Sequence, residues 1–387
     1  MKKDIRKDPM YIYLLLLTIG STAGLQGWTT LFNNFAVENA HLDGFQVGVI
    51  QSVREIPGFL SLLVVYVLLI FREHRLAFIS VFLCGAGVLA TGYLPSFSGL
   101  LVTTTVMSLG YHYYETTNQS LTLQYFTQKQ SPVVFAYLRS MTALTNVIIG
   151  ALIWAASMFL EISSLFLISG TAVIIFSIAA LRVDPVRDDL PSQHKKMIFR
   201  TRYWLYYLLN LLSGARRQIF IVFAILLLVE RYRFTVTQIT LLFLINNVIN
   251  YFLSPYIGRA INRFGERKVL SLEYFSIIFI FLAYAFIDNA LVAAGLYVLD
   301  QIFFNFAIGI RTYFQKIGDP ADVAPSMAVG FTINHIAAVV LPAFGGALWL
   351  IDYRIPFIAG SVLGVCSLLT VQMMKETNSP LSPLSVD

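Results

Sequence analysis

The sequence contains 387 residues and carries a net charge of +6; 57% of its residues are hydrophobic and only 12% are charged. Because soluble proteins average about 25% charged residues, this composition excludes an ordinary soluble protein and predicts a chain that lies in lipid. The charges fall in short stretches between long apolar segments, so the positive net charge does not indicate nucleic-acid binding.

Twelve apolar segments are long enough to cross a membrane, for which an α-helix needs about 20 residues. Each segment is continuously apolar rather than alternating, which predicts helices and excludes a closed barrel. The predicted fold class is therefore an all-α membrane protein with twelve transmembrane helices. In chain order the predicted spans are 11–36, 44–71, 76–94, 97–125, 133–159, 162–181, 203–229, 235–260, 269–287, 289–315, 323–350 and 354–374.

A charged stretch at 182–202 separates the sixth span from the seventh and divides the chain into two groups of six. A Tyr-Phe pair followed by a proline at the same spacing ends the fourth and the tenth spans, at 125–132 and 313–320. These matches lie about half the chain apart and favour an internal duplication. The predicted domains are a six-helix bundle at 1–181, a cytoplasmic linker loop at 182–202, a second six-helix bundle at 203–374 and a cytoplasmic tail at 375–387.

Lysine and arginine residues are distributed unevenly between the two sides of the predicted membrane. With the N-terminus inside, most fall in cytoplasmic stretches, among which we count Arg139 and Arg311. The opposite side has only Arg231, Arg233 and Arg354. The positive-inside rule then places both termini in the cytoplasm. We expect a multi-pass protein of the plasma (bacterial inner) membrane.

The loop between the eighth and ninth spans reads GRAINRFGERK from Gly258 onwards. It resembles the G-x-x-x-D-R-x-G-R-R loop signature of the major facilitator superfamily. Gly258, Arg263, Gly265 and Arg267 match the signature, whereas Asn262 stands in place of its aspartate. The resemblance implies that this loop locks the two halves in one conformation, and Asn262 lacks the charge that an aspartate would contribute to that lock.

Two parallel six-helix groups and this resemblance imply a secondary active transporter that moves a small solute by alternating access. Residues 341–346, LPAFGG, are similar to the antiporter motif of the family and favour export, although a kink with close helix packing is an alternative interpretation. No Walker motif or hydrolase motif occurs, so we expect neither ATP use nor enzyme activity, and no cofactor. The expected partners are a small-molecule solute, protons and membrane lipid, for a chain that is a monomer and binds no nucleic acid.

Ionisable residues within the spans are functional candidates, because a charge at the bilayer centre costs at least about 2.5–3.5 kcal/mol. Three arginines balance three carboxylates in this set, which favours a neutral, zwitterionic or singly charged substrate. The histidines add groups that titrate near neutral pH. The candidates are Arg54, Glu55, His112, Glu115, Arg216, Arg217, Asp300 and His335.

The resemblance implies that spans one, four, seven and ten line a central cavity. On that basis Glu115, one of Arg216 and Arg217, and Asp300 should face the cavity, and one of the two arginines should pair with Asp300. Arg54 and Glu55 are adjacent on one helix, so we expect that they do not face each other.

His112 and Glu115 are three residues apart and share a helix face, so both could carry the protons that couple transport. A second interpretation is a divalent metal transporter in which His112, Glu115, His335 and Asp300 are the ligands. A third is a non-transporting sensor or assembly factor on the same fold. A hydrogen bond between helices at the neighbouring Asn334 and His335 is the plainer interpretation of that pair.

Amide side chains at membrane depth are further candidates for the substrate pathway. Asn146 and Asn334 match at the spacing that superimposes the two halves, and Asn246 lies one turn from Asn250 on the eighth span. Such amides can orient a polar solute, but they more often join helices to each other by hydrogen bonds.

Overall fold

The computed structural model describes residues 4–187 and 189–375, with the backbone alone at 339, 342 and 343. Within this part of the chain, twelve long helical segments follow one another in the predicted order. They are α1 (Pro9–Asn39), α2 (Gly44–Val67), α3 (Glu73–Thr91), α4 (Phe97–Tyr125), α5 (Ser131–Ala156), α6 (Ile162–Ala180), α7 (Thr201–Arg231), α8 (Val236–Phe264), α9 (Glu266–Phe286), α10 (Ala290–Ile317), α11 (Val323–Ile351) and α12 (Arg354–Gln372).

Ten of these segments are long and apolar enough to cross a membrane; α4 and α11, of 29 residues each, accompany them. The helix ends follow local sequence signals. Asp43 with Gln46 and Thr235 with Gln238 form capping boxes at the starts of α2 and α8, which satisfy backbone N–H groups left open in the first turn. Most of the predicted tail, at 376–387, lies outside the described residues.

Three of the helices contain irregular turns at mid-length. Pro57 lies within α2, which continues through a 3₁₀ turn at Leu60–Leu63. A π turn at Phe220–Ala224 interrupts α7, and a 3₁₀ turn at Asn305–Ala307 interrupts α10. Proline removes a backbone donor and such turns redirect side chains, so the polar residues near them can face the interior of the bundle.

The helices α1–α6, here called the N-terminal half, pack mainly on one another, as do α7–α12, the C-terminal half. Glycines allow some of the closest approaches. A Cβ atom at Gly110 on α4 would lie 2.3 Å from the carbonyl oxygen of Ser80 on α3. Substitution at Gly110 therefore requires that α3 and α4 separate, which would open the core of the N-terminal half.

Contacts between the two halves concentrate at the end of the bundle where α1 begins, here called the terminus end. The helix pairs involved are α5 with α8, and α11 with α2 and α4. The Asn262 side chain donates to the Lys129 carbonyl at 2.6 Å, and Gln315 donates to the carbonyls of Leu123 and Phe126, each at 2.7 Å. Among the described residues, no hydrogen bond joins the halves closer to the opposite end than the Asn146–Asn247 bond. The bundle is thus closed at its terminus end.

The linker between the halves is anchored to the start of α11 through Asp322. This carboxylate is fully buried and lies 2.6 Å from Arg200 Nε, 2.8 Å from His194 Nδ1 and 2.8 Å from the Tyr203 hydroxyl. Burial alone would raise the pKa of Asp322, but hydrogen bonds from Arg200, Tyr203 and His194 outweigh burial and hold the pKa below its ordinary value. Asp322 is therefore ionised whenever the linker is docked at neutral pH.

Replacing Asp322 with asparagine should destabilise the docked linker by about 2–3 kcal/mol, because buried donors lose a charged acceptor. A depressed pKa contributes stability that is present above the unfolded pKa, near 4, and is lost only below it. The loss of Tm and the faster proteolysis of the linker should therefore be equal at pH 5.5 and pH 8. Asp189→Asn, at an exposed ion pair, is the control, with little expected change. An equal effect of both variants would contradict the anchoring role.

Candidate functional site

A cavity of about 130 Å³ lies between the two halves and is lined by α1, α4, α5 and α10. Its wall carries hydroxyl, amide and charged groups among aromatic side chains. The polar and charged lining residues that matter below are Thr18, Thr22, Glu115, Gln119, Arg139 and Arg311. The cavity is small enough to exclude large substrates in this conformation, and its mixed lining suits a small polar solute.

Two arginines from different halves meet at this cavity. Arg139 belongs to α5 and donates from Nε to the Asn305 side-chain oxygen at 2.9 Å. The Arg311 guanidinium, on α10, lies 5.7 Å from the centre of the Phe135 ring. Among the described residues, no carboxylate oxygen lies within 4.0 Å of the side-chain nitrogens of either arginine. Of the lining residues within the described part of the chain, Glu115 alone is acidic, so this part of the cavity wall has one more positive group than negative.

The assignment of Arg139 and Arg311 to cytoplasmic stretches was therefore wrong. Arg139 is eight residues inside α5, which begins at Ser131 and rises about 1.5 Å per residue. That position puts it roughly 12 Å along the helix, deep enough to reach the cavity. The predicted balance of three arginines and three carboxylates also fails, since both arginines had been left out of that set.

Two ion pairs among the helices differ from the prediction. Arg54 and Glu55 do face each other, with Nη2 and Oε1 2.7 Å apart, because long side chains can curl together even from adjacent positions. Arg216 pairs with Glu273 on α9 at 3.1 Å, not with Asp300. Helix α7 turns Arg216 inward toward α9, and the Arg216 guanidinium also lies over the Tyr274 ring.

Asp300 and Arg216 are buried within the C-terminal half and do not line the cavity, whereas Glu115 does. Asp300 lies near Arg216 and Glu273, but makes no ion pair among the described residues. Arg217, the neighbour of Arg216, is half-buried on the side of Glu55 and Tyr111. Of the residues predicted to face the cavity together, Glu115 lines it, whereas Asp300, Arg216 and Arg217 do not.

His112 and His335 lie together where α4 meets α11, with ring centres 5.3 Å apart. Glu55 joins them, so that one possible ligand atom from each of the three lies within 4.8 Å of the others. Glu115 and Asp300 are not part of this group. The predicted set of four metal ligands is therefore not assembled, because Glu115 turns toward Arg139 and Arg311 although it shares a helix with His112.

The amide candidates take part in contacts between helices. Asn146 donates to the Asn247 side chain at 3.0 Å, and Asn334 donates to the Asn210 carbonyl on α7 at 3.2 Å. Buried Asn246 has no hydrogen-bond partner for its amide among the described residues. His335 bonds to the Phe331 carbonyl of its own helix, so the bond between helices at this pair comes from Asn334.

Asn305 was missed by the sequence reasoning, although it connects the cavity to α8. Its amide donates to the Asn250 side chain at 2.6 Å, while its oxygen accepts from Arg139. The 3₁₀ turn at Asn305–Ala307 directs this side chain inward. The only sequence signal was a lone asparagine in an apolar run, which is too common to single out.

The loop that resembles the family signature lies at the terminus end, between α8 and α9. A Cβ atom at Gly258 would lie 2.5 Å from the Pro132 carbonyl oxygen of the other half, so the glycine permits close approach of α5 and α8. Gly265 has φ of 82° and separates the two helices. Asn262 bonds across to Lys129, Arg263 lies over the Phe264 ring, and Arg267 donates to Gln372. The lock role itself remains a prediction.

The model of the Major Facilitator Superfamily matches residues 14–316. The chain belongs to the major facilitator superfamily. Among solved structures, the E. coli fucose:proton symporter FucP has 13% identity, a TM-score of 0.76 and coverage of 95% of this chain and 99% of that chain. A bacterial homologue of the iron transporter ferroportin, in an outward-facing state, has 17% identity and a TM-score of 0.74, with 94% of this chain and 98% of that chain covered.

The human organic anion transporter MFSD10 has 14% identity and a TM-score of 0.72, with 96% of this chain and 100% of that chain covered. No curated protein sequence matches this chain at a significant level. At these identities the structural likeness shows the fold alone. The predicted all-α membrane fold and family are confirmed, and this superfamily member is a multi-pass secondary transporter of small molecules rather than an enzyme.

Proposed function

We propose that this superfamily member carries a small organic anion, and that Arg139 and Arg311 bind the anionic group. The observation that carries this proposal is that two arginines from opposite halves line one cavity, and no carboxylate lies within 4.0 Å of either among the described residues. Burying a cation without a partner is costly. An arginine that is kept in that state is available to a ligand of opposite charge.

The rest of the cavity wall fits an anion with polar substituents. Guanidinium groups bind carboxylates and phosphates through parallel N–H bonds, and the hydroxyls of Thr18 and Thr22 with the amide of Gln119 can bond to further oxygens. Because Arg139 belongs to the N-terminal half and Arg311 to the C-terminal half, one anion can contact both. An anion bound to both arginines would stabilise the arrangement of the halves in which the two side chains lie close together.

We propose that Glu115 couples anion transport to protons. With Glu115 ionised, the two arginines and the glutamate in the cavity wall give a net charge of +1; with Glu115 protonated the net charge is +2. Each ligand therefore favours binding of the other, as linkage requires. An anion and a proton that bind together move together, which supports symport and uptake along an inward proton gradient.

The expectation of export rests on residues 341–346. Within them, a Cβ atom at Gly345 would lie 2.5 Å from Cζ of Phe223, so this glycine permits α11 to pack on α7. This packing contact supports the alternative interpretation of the motif, close helix packing, which does not depend on the direction of transport. The non-transporting alternative differs from our proposal in one result, namely anion binding without counterflow in proteoliposomes.

A thermal-shift panel on the purified protein tests the anion proposal. Monocarboxylates, dicarboxylates and organic phosphates should include a ligand that raises Tm, while neutral sugars and quaternary amines should not, since a ligand of the folded state stabilises by mass action. The shift should disappear in Arg139→Gln and persist in Arg259→Gln, an exposed arginine on α8. A neutral ligand that stabilises Arg139→Gln as well as wild type would refute the proposal.

Glu115→Gln should abolish proton-driven accumulation of that ligand while it preserves counterflow. Glutamine keeps the size of the side chain but cannot release a proton, so the cavity stays permanently in its more positive state. The measurement is uptake into proteoliposomes with an inward pH gradient, compared with exchange at equal pH. Glu38→Gln, at an exposed residue near the end of α1, is the control. Accumulation by Glu115→Gln at the wild-type level would place coupling elsewhere.

A further inference from the structure

Glu55, His112 and His335 form a compact group of three potential metal ligands, on α2, α4 and α11. We infer that they bind a divalent first-row transition-metal ion that clamps the two halves in the conformation closed at the terminus end. The first two residues belong to the N-terminal half and His335 to the C-terminal half. An ion held by all three would therefore resist the separation of α2 from α11 that opening requires.

The histidines are prepared for this role by their hydrogen bonding. His335 Nδ1 lies 2.9 Å from the Phe331 carbonyl, which assigns the ring proton to Nδ1 and leaves Nε2 free to ligate. His112 is buried, and neither of its ring nitrogens has a partner among the described residues. Either ring nitrogen of His112 can therefore ligate an ion without breaking an existing hydrogen bond.

The packing of α2 gives the two imidazoles room to converge. A Cβ atom at Gly58 would lie 2.6 Å from Cδ2 of His335 and 3.0 Å from Cδ2 and Nε2 of His112. Any larger residue would push the rings apart. The ligand atoms of a tetrahedral zinc ion are roughly 3.4 Å apart, given Zn–N bonds of about 2.0–2.1 Å. The candidate ligand atoms of Glu55, His112 and His335 all lie within 4.8 Å of one another, so small side-chain rotations would bring them to that spacing.

Two arginines oppose a cation at this position. Arg54 donates to Glu55 Oε1 at 2.7 Å. The positive charge of Arg217 lies close enough to both histidines to repel a cation bound between them. Arg54 also lies 5.5 Å from the centre of the Trp28 ring, a contact that can hold the guanidinium when a metal takes Glu55. Arg54 is thus a competitor for the carboxylate, and its removal should strengthen metal binding.

This group is separate from the proposed anion site. None of Glu55, His112 and His335 lines the cavity that contains Arg139 and Arg311. A metal held here would act on the movement of the halves rather than travel with the anion. We therefore expect Zn²⁺ to inhibit transport and a chelator to restore it.

Binding is tested by titrating Zn²⁺ into the purified full-length protein, prepared with a tag that lacks histidine, and by the visible absorption of bound Co²⁺. One ion per chain is expected. His112→Gln and His335→Gln should each weaken binding at least 10-fold, and His41→Asn, at an exposed histidine, should leave it unchanged. Wild-type affinity in both glutamine variants, or no stoichiometric binding at millimolar Zn²⁺, would overturn the site.

Two further variants test the site without changing any of the three proposed ligand residues. Arg54→Gln should bind Zn²⁺ at least threefold more tightly, because Glu55 is released, and Gly58→Ala should bind it more weakly. Equal or weaker binding by Arg54→Gln would contradict the competition. The titrations need no transported substrate, so their outcome does not depend on the anion proposal. Accumulation of Zn²⁺ inside proteoliposomes would overturn the clamp role and indicate a cargo.

Discussion

Arg139→Gln and Arg311→Gln should each lower kcat/KM for anion transport by at least about 100-fold, which corresponds to roughly 2.7 kcal/mol of lost interaction. A charge-assisted hydrogen bond to a desolvated anion is worth about 2–5 kcal/mol when one partner is truncated. Each arginine is contributed by a different half. Loss of either arginine therefore removes the charged contact between the anion and one half of the bundle.

Lysine variants sharpen this prediction. Arg139→Lys and Arg311→Lys keep the charge but lose the parallel N–H donors, so they should retain more activity than the glutamine variants and less than wild type. The measurement is initial uptake into proteoliposomes, with protein amount and size-exclusion profile matched, and Arg259→Gln as the control. Wild-type uptake by Arg139→Gln would show that the anion binds elsewhere.

Breaking the Arg216–Glu273 pair should destabilise the C-terminal half by about 3–5 kcal/mol, because removal of one partner leaves an uncompensated buried charge. Both side chains are almost completely buried, at 4% and 0% exposure, and their nearest N and O atoms are 3.1 Å apart. Arg216→Met should lower Tm strongly. Asp300 increases the effect, because Arg216→Met would leave the carboxyl groups of Asp300 and Glu273 close together without a cation.

The double variant Arg216→Met, Glu273→Met should recover much of the lost stability, because apolar residues of similar volume often replace a buried pair at little cost. The readout is thermal unfolding in detergent. Asp288→Asn, at the exposed pair with Arg231, is the control, with a change of at most about 1 kcal/mol. If Arg216→Met alone is as stable as the control, the pair has no structural role.

The helices were predictable because composition decides them. Segments of about 20 apolar residues have few alternatives to a transmembrane helix, and the predicted span at 97–125 coincides with α4. The direction of each side chain was not predictable in the same way. Glu115 and His112 share a helix, yet one lies with Arg139 and the other with His335. Which neighbour each residue meets depends on how helices from distant parts of the chain are rotated and tilted.

Arg139 shows why the candidate site could be predicted only in part. Its predicted span, 133–159, already contained it, but Arg139 lay only six residues from the start of that span and was counted with the cytoplasmic charges, whereas α5 begins at Ser131 and carries it further inward. A shift of a few residues moves a side chain several ångströms along the membrane normal. Glu273 was not predicted as a candidate either. It lies near the start of α9, and only the structure shows that it pairs with Arg216.

The closure at the terminus end is made by uncharged groups: amides of Asn262 and Gln315 bond to main-chain carbonyls across the two halves. Mobile ions screen charge–charge attractions over about 8 Å at physiological salt, but have little effect on contacts of this kind. The balance between the open and closed forms at this end should therefore be insensitive to ionic strength and to the charge of surrounding lipid headgroups. A gate built from arginine–aspartate pairs would loosen as salt is raised.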